Sequence, residues 1–512
     1  MLEHVDVLIV GAGLSGIAVA HTLASDHPER TFALLEARAA TGGTWDFFRY
    51  PGIRSDSDLQ TFGYAFRPWR REQAIAEGPE ILRYLRETAA EHGIDRHVRL
   101  GREVVAASWS TDGARWLVDV RHVDTGERAQ LTCSWLFSAG GYFRYDEGHR
   151  PAFAGQERFP GPVVHPQQWP ADLDVRGKRV VVIGSGATAV TLVPALAETA
   201  DHVTMVQRTP SYVLPLPSRD PVARILRRVL GERHGYAAVR QKNILTQHVV
   251  WRACQRHPTA ARRFIRWVNT RHLPAGYPVD VHFNPPYDPW DQRLCLVPNG
   301  DLFRVIREGK ASVETGAIRA FTQEGLLLES GTEVPADVIV SATGFVVQPF
   351  GGIALSVDGT PVHVRRTVAY KGMMLSGVPN FGYAIGYTNA SWTLKIGLVC
   401  EHFSRLLAHM DSSGADFCVP ELSEPTMPLR PLLDFGAGYV QRVVDQLPRQ
   451  GTRPPWQTSM NYYSDVRLLR HGPVTDHELR FSRRTAGIVP PRAPWEEQPE
   501  RATDHQEVSR CE

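Results

Sequence analysis

The chain is poor in the features that mark metal-held, disulfide-stapled or membrane-spanning proteins. Its 512 residues include six cysteines, Cys133, Cys254, Cys295, Cys400, Cys418 and Cys511, and no two stand in a C-x-x-C spacing. That spacing argues against a zinc site and a disulfide framework, and it fits the reducing cytoplasm. No apolar run reaches the length of a transmembrane helix. The segment from Met1 to Val10 reads as a core strand, not as a secretory leader. Only five residues are lysine, and the net charge of +2 gives no argument for a nucleic-acid partner. Serine catalysis also lacks its pattern, because Ser55, Ser185 and Ser391 stand outside any G-x-S-x-G.

What is present is a repeated unit. A chain of this length exceeds one hydrophobic core, so two or three domains are expected. Val5–Val10 reads as a buried parallel strand, and Gly11-Ala12-Gly13-Leu14-Ser15-Gly16 follows before an apolar helix over Leu14–Ala24. This is G-x-G-x-x-G in its strand–turn–helix setting: Gly11 for the turn, Gly13 for close approach of a pyrophosphate, Gly16 for packing of helix on strand. Ser15 lies at the helix start, where free N–H groups face a phosphate. The next strand, Phe32–Leu35, ends in Glu36, an acceptor for two ribose hydroxyls that would repel a 2′-phosphate. The first unit therefore reads as a site for FAD.

Arg179–Ile183 opens a second unit with Gly184-Ser185-Gly186-Ala187-Thr188-Ala189. Its next strand, His202–Val206, leads to Arg208 and Thr209 where the first unit has an acid. A charge-assisted contact to a 2′-phosphate contributes roughly 1.5–3 kcal/mol, which favours NADPH over NADH. Both units close alike, on Trp135–Gly140 and on Val338–Gly344, apolar strands ending in small residues. The expected fold is α/β, with two Rossmann-like dinucleotide-binding domains, the second nested in the first. The FAD domain takes 1–145 and 345–400, and the NADPH domain takes 146–214 and 290–344. A helical insertion over 215–289, a C-terminal segment over 401–488 and a disordered, Pro/Glu/Arg-rich tail over 489–512 complete the division. In the insertion Val222, Ile225, Leu226, Val229 and Leu230 predict a packed apolar stripe with Arg224, Arg227 and Arg228 facing out. A channel wall or a membrane-surface patch is the alternative use of such a helix.

Two further stretches carry a resemblance. Phe159-Pro160-Gly161-Pro162-Val163-Val164-His165-Pro166-Gln167-Gln168-Trp169-Pro170 matches F-x-G-x-x-x-H-x-x-x-W-P, and Gly43–Asp56 matches G-x-W-x-x-x-x-[FY]-P-G-x-x-x-D. Both resemble the fingerprints of the Baeyer–Villiger monooxygenases, a class B flavoprotein family. Asp291–Phe303 and Gly386–Trp392 are similar to its ethionamide-activating branch, and the likeness extends to about residue 485.

The resemblance implies that Thr44, Trp45 and Asp46 lie against FAD, with Val104 and Trp392 as further contacts and Arg54 and Asp56 beside the nicotinamide. It implies that Arg293 is the active-site cation and that Asp56 orients it. Many members have lysine just before that arginine; this chain has Gln292. Selectivity for NADPH would then rest on Arg208 and Thr209. A fixed guanidinium would stabilise a C4a-peroxyflavin anion and the oxyanion it forms on a ketone. His165 is implied to couple the two cofactor domains, not to act as a base.

The implied reaction is NADPH- and O₂-dependent oxygenation of a small ketone, sulfide or thioamide. An N- or S-oxygenating enzyme without ketone activity, and a flavoprotein that NADPH reduces without oxygenation, stay open beside it. A disulfide reductase shares the two-site plan but needs a redox-active cysteine pair that the chain lacks.

Overall fold

The computed structural model describes residues 2–71, 73–292 and 294–484. Apolar runs covered on both faces set its two main sheets. Glu3–Val10 pairs in parallel with Phe32–Glu36, placing Val10 beside Leu35, and with Arg128–Ser138, placing Val10 beside Ser138. Val98–Leu100, Arg102–Ser110, Arg115–His122, Ala354–Val357, Thr360–Pro361 and Phe381–Tyr383 complete a nine-stranded sheet. The second sheet has five parallel strands in the order Ala311–Thr315, His202–Gln207, Arg179–Ile183, Val338–Ser341, Val163–Val164. All five fall in sequence between Arg128–Ser138 and Ala354–Val357 of the larger sheet, so the second unit is nested in the first.

Each sheet ends its first strand in the same way. Gly11 and Gly184 adopt φ of +102° and +135°, and a Cβ on Gly184 would stand 2.5 Å from the Ala342 carbonyl oxygen. The helices Leu14–Asp26 and Ala187–Leu196 each start three residues later. These turns open at the carboxyl ends of the strands, where α/β sheets bind their ligands.

The two halves are joined by a ribbon. Phe143–Gly148, leaving the larger sheet, pairs antiparallel with Phe345–Val347, returning to it. The His165 ring packs flat on this ribbon, so close that a Cβ on Gly148 would stand 2.2 Å from its Cε1. Its Nδ1 accepts from Gln167 N–H at 3.2 Å, which leaves Nε2 to donate to Gly344 O at 3.2 Å. Gln167 Nε2 donates to the Arg144 and Tyr145 carbonyls, tacking the rest of the segment to the same ribbon.

The insertion leaves the nested half through Val213–Leu216 and returns through Cys295–Pro298, its parallel partner. Between them lie the helices Pro221–Arg256, broken at Gly231, Pro258–His272 and Val279–His282. The expected packing of the first stripe is corrected here. Val222, Ile225 and Val229 are 46%, 61% and 73% exposed, and Arg227 turns inward. Its guanidinium donates to the carbonyls of Trp69 and Arg70 and to Gln60 Oε1. The reason lies in the surface that this helix meets. That surface presents the Trp69 and Arg70 carbonyls and the Gln60 side-chain oxygen, which need donors, not methyl groups. Tyr236 and Arg240 serve the same end, and Arg240 Nη1 reaches the Gln60, Thr61 and Gly63 carbonyls. Among the described residues no helix is long and apolar enough to cross a membrane. The tail from 489 lies outside the described residues.

The tightest packing in the first unit gives a test. A Cβ on Gly16 would stand 2.0 Å from the Gly11 carbonyl oxygen, a contact that only a shift of the helix Leu14–Asp26 relieves. Gly16→Ala is expected to lower unfolding stability by roughly 1–3 kcal/mol and to weaken flavin retention. Denaturant titration and the absorbance of the purified protein read both, and an unchanged midpoint would remove the packing argument.

Candidate active site

The first glycine turn and the start of the helix that follows the second face one cavity of ≈ 670 Å³. Gly11, Gly13, Ser15, Glu36, Thr44, Trp45, Arg54, Asp56, Val104 and Trp392 line it from the larger half, and Ala187 and Thr188 line it from the nested half. Of the other residues singled out in sequence, Gly16 is spent on helix packing. Asp46 is buried behind the wall and holds Arg38 at 2.6 Å and Arg86 at 2.8 Å, with Arg49 at 3.5 Å. Gly184, Ser185 and Gly186 form the second turn outside the cavity lining, and the Ser185 hydroxyl caps the Thr209 carbonyl at 2.9 Å. Arg208 is exposed at the end of His202–Gln207. Arg293 lies outside the described residues. Its neighbour Gln292 packs on the C-terminal segment, where Gly436 N–H donates to Asp291 O at 2.9 Å.

Glu36 shows how the first site would receive a ribose. Its Oε2 accepts from Ala12 N–H at 2.9 Å and its Oε1 from Arg38 N–H at 3.0 Å, which fixes the carboxylate at the cavity wall. Burial raises its pKa, and the two backbone N–H groups oppose that rise. At the far end Trp392 Nε1 donates to Ser15 Oγ at 3.0 Å, and the Tyr142 ring stacks on the indole at 5.3 Å. The cavity thus runs from a buried carboxylate, past a glycine turn at a helix start, to a wall of flat aromatic rings. That sequence of groups fits a long dinucleotide carrying an aromatic ring system.

Several site residues were not legible in the sequence. Arg38 spans the Gly43 carbonyl and Asp46, under the rings of Phe47 and Tyr145 at 5.1 and 5.9 Å. Its place two residues after Glu36 was the available signal. Tyr142, Phe143 and Tyr145 enter the wall from the ribbon. Asp58 is half-buried, desolvation raises its pKa, and it accepts from Gln60 N–H, Asn243 Nδ2 and Gln247 Nε2. It ties the helical insertion to the loop that carries Asp56.

The chain belongs to the flavin-binding monooxygenase-like family, whose model matches residues 73–357. A second model, an NAD(P)-binding Rossmann-like domain, matches residues 9–72. The FAD-containing monooxygenase EthA of Mycobacterium tuberculosis is 53% identical over 489 residues, 95% of this chain and 100% of that protein. EthA of Mycolicibacterium smegmatis is 46% identical over 95% of this chain and 99% of its own length. The fold is shared with a steroid monooxygenase solved in its oxidised form bound to NADP. The TM-score is 0.72 at 21% identity, over 94% of this chain and 100% of that one.

The ribbon gives a pH prediction. Burial lowers the His165 pKa to about 4, and its bond to the Gly344 carbonyl opposes this. The folded protein keeps the ring neutral where the unfolded chain, at 6.5, takes up a proton. This part of the stability is whole above pH 6.5 and is lost as pH falls towards 4, by roughly 3 kcal/mol at the lower end. His165→Gln is expected to flatten that decline in denaturant midpoints measured from pH 7 to pH 4. A slope equal to that of the wild type would contradict the assignment.

Proposed function

We propose that this protein is an FAD-containing, NADPH-dependent monooxygenase that inserts one atom of O₂ into a small ketone or sulfide. The observation that carries the reading is the cavity lined both by the first glycine turn and by Ala187 and Thr188, which start the helix after the second turn. Kinship with FAD-containing monooxygenases over 95% of the chain supports it. Bound flavin supplies acceptance of hydride from NADPH and activation of O₂.

The chain's own residues bind, orient and exclude. Glu36 accepts the ribose hydroxyls, and the Gly11–Ser15 turn offers N–H groups to the pyrophosphate. Thr44, Trp45, Val104 and Trp392 hold the flavin, with Asp46 acting through Arg38. Gly184, Ser185, Gly186, Ala187 and Thr188 receive the second pyrophosphate. Arg208 and Thr209 meet the 2′-phosphate, and Asp56 stands beside the nicotinamide.

The division into an FAD domain, a nested NADPH domain and a helical insertion follows the same logic. Arg293 supplies a permanent positive charge to the substrate oxygen that gains negative charge during attack on a ketone. Asp56 orients that guanidinium. His165 fixes the ribbon on which both halves turn.

The insertion adds a contact with membrane surfaces. Between 215 and 289 the chain holds thirteen Arg and Lys against four Asp and Glu. On the helix Pro258–His272 the exposed Phe264 stacks on the exposed Trp267 at 6.0 Å, and Arg271 lies 4.5 Å over the indole. Exposed rings beside arginines suit an anionic lipid surface.

Two experiments test these readings. Arg293→Ala is expected to keep NADPH-driven bleaching of the flavin and to lose ester formation from ketones by at least about a hundredfold, releasing hydrogen peroxide instead. Ester formation at the wild-type rate would remove Arg293 from the chemistry. Full-length protein is expected to co-sediment with vesicles containing phosphatidylglycerol and not with neutral ones, and to be released by salt. Equal binding by the Ile225→Glu, Val229→Glu, Phe264→Glu variant would contradict the membrane contact.

A further inference from the structure

Arg54 belongs to the loop Tyr50–Asp56, which the larger half carries into the cavity. Its guanidinium is already engaged. One nitrogen bonds Asp301 Oδ2 and the other lies 3.4 Å from Oδ1. Asp301 is the first residue of the helix Asp301–Arg307 in the nested half, 247 positions along the chain. The two side chains are only 12% and 19% exposed.

The same loop meets the nested half at two more points. The Tyr50 hydroxyl is hydrogen-bonded to Thr188, and burial pushes that phenol up to about 12. Gly52, at φ +74°, comes so close that a Cβ would stand 2.8 Å from Ala195 Cβ and 2.9 Å from the Thr191 carbonyl oxygen. The loop is thus seated on the nested half, with the Arg54–Asp301 pair as its electrostatic fastening.

We propose that Asp301 is a positioning residue that withholds Arg54 from the nicotinamide dinucleotide phosphate. The proposal rests on the reading of the nested half as the NADPH site. A guanidinium paired through two nitrogens with a carboxylate has little field left for a further anion, because the two charges cancel beyond a few ångströms. With Asp301 neutral, the same guanidinium remains in a largely buried wall without a counter-charge, and an anionic nucleotide becomes its best partner. Asp301 therefore weakens binding of the nucleotide and keeps the loop in one place. Losing it frees Arg54 to follow the phosphates and blurs the position of the nicotinamide.

The test uses the FAD-loaded full chain and NADP⁺ in calorimetric titration, with the rate of anaerobic flavin bleaching by NADPH as a second readout. Asp301→Asn is expected to tighten NADP⁺ binding about tenfold and to slow bleaching, whereas Asp301→Glu, which keeps the charge, stays near the wild type. Arg54→Gln is expected to weaken binding, and adding Asp301→Asn to it to restore binding towards the wild type. That pair decides the matter if Asp301→Asn alone does not fold. Unchanged or weaker binding by Asp301→Asn, in a protein whose wild type binds NADP⁺, overturns the proposal and leaves the nucleotide reading standing. A wild type that does not bind NADP⁺ overturns both.

Discussion

The first glycine turn and the helix Ala187–Leu196, built on different sheets, must face the same space, and the loop Tyr50–Asp56 makes this possible. It starts in the larger half, yet it is seated on the nested half through Tyr50, Gly52 and Arg54. A side chain at position 52 would push it off the helix Ala187–Leu196, and the cavity would lose the wall that both halves share. The ribbon of Phe143–Gly148 and Phe345–Val347 supplies the second constraint. It is the covalent route between the halves, and His165 and Gln167 hold it from one side. Seating and ribbon together let two rigid sheets present one continuous cavity.

The architecture divides labour among charges. Glu36 is fixed by backbone N–H groups at the cavity wall. Asp46 is surrounded by three arginines and braces the wall without facing it. Asp58 joins the insertion to the cofactor loop, and Asp301 joins the nested half to that loop. Four carboxylates of similar chemistry thus do four different things, according to the donors packed around them.

Much of this was legible in the sequence. The strands, the glycine turns, the nesting of one unit in the other and Glu36 follow from local pattern, because a parallel strand covered on both faces and a turn needing positive φ constrain residue type directly. The placement of Thr44, Trp45, Asp56, Val104 and Trp392 on one cavity came with the resemblance. The rest depends on contacts far apart in sequence. Arg38 acquires its role from Gly43, Asp46 and Tyr145 only once the chain has folded, and Asp301 lies 247 residues from its partner. The stripe at Val222, Ile225 and Val229 shows the limit of periodicity. Helical spacing identified an amphipathic helix, but the Trp69 and Arg70 carbonyls and the Gln60 side chain drew Arg227 inward and left Val222, Ile225 and Val229 facing out.

The central claim is that the cavity brings NADPH, flavin and O₂ together for oxygen transfer to a bound substrate. The most direct measurement is turnover under ¹⁸O₂ with NADPH and a panel of ketones and sulfides, followed by mass spectrometry of the products. The account predicts one ¹⁸O atom per molecule of ester, lactone or sulfoxide, with one NADPH consumed for each. Consumption of NADPH that yields only labelled hydrogen peroxide, with no labelled product from any substrate, would contradict it.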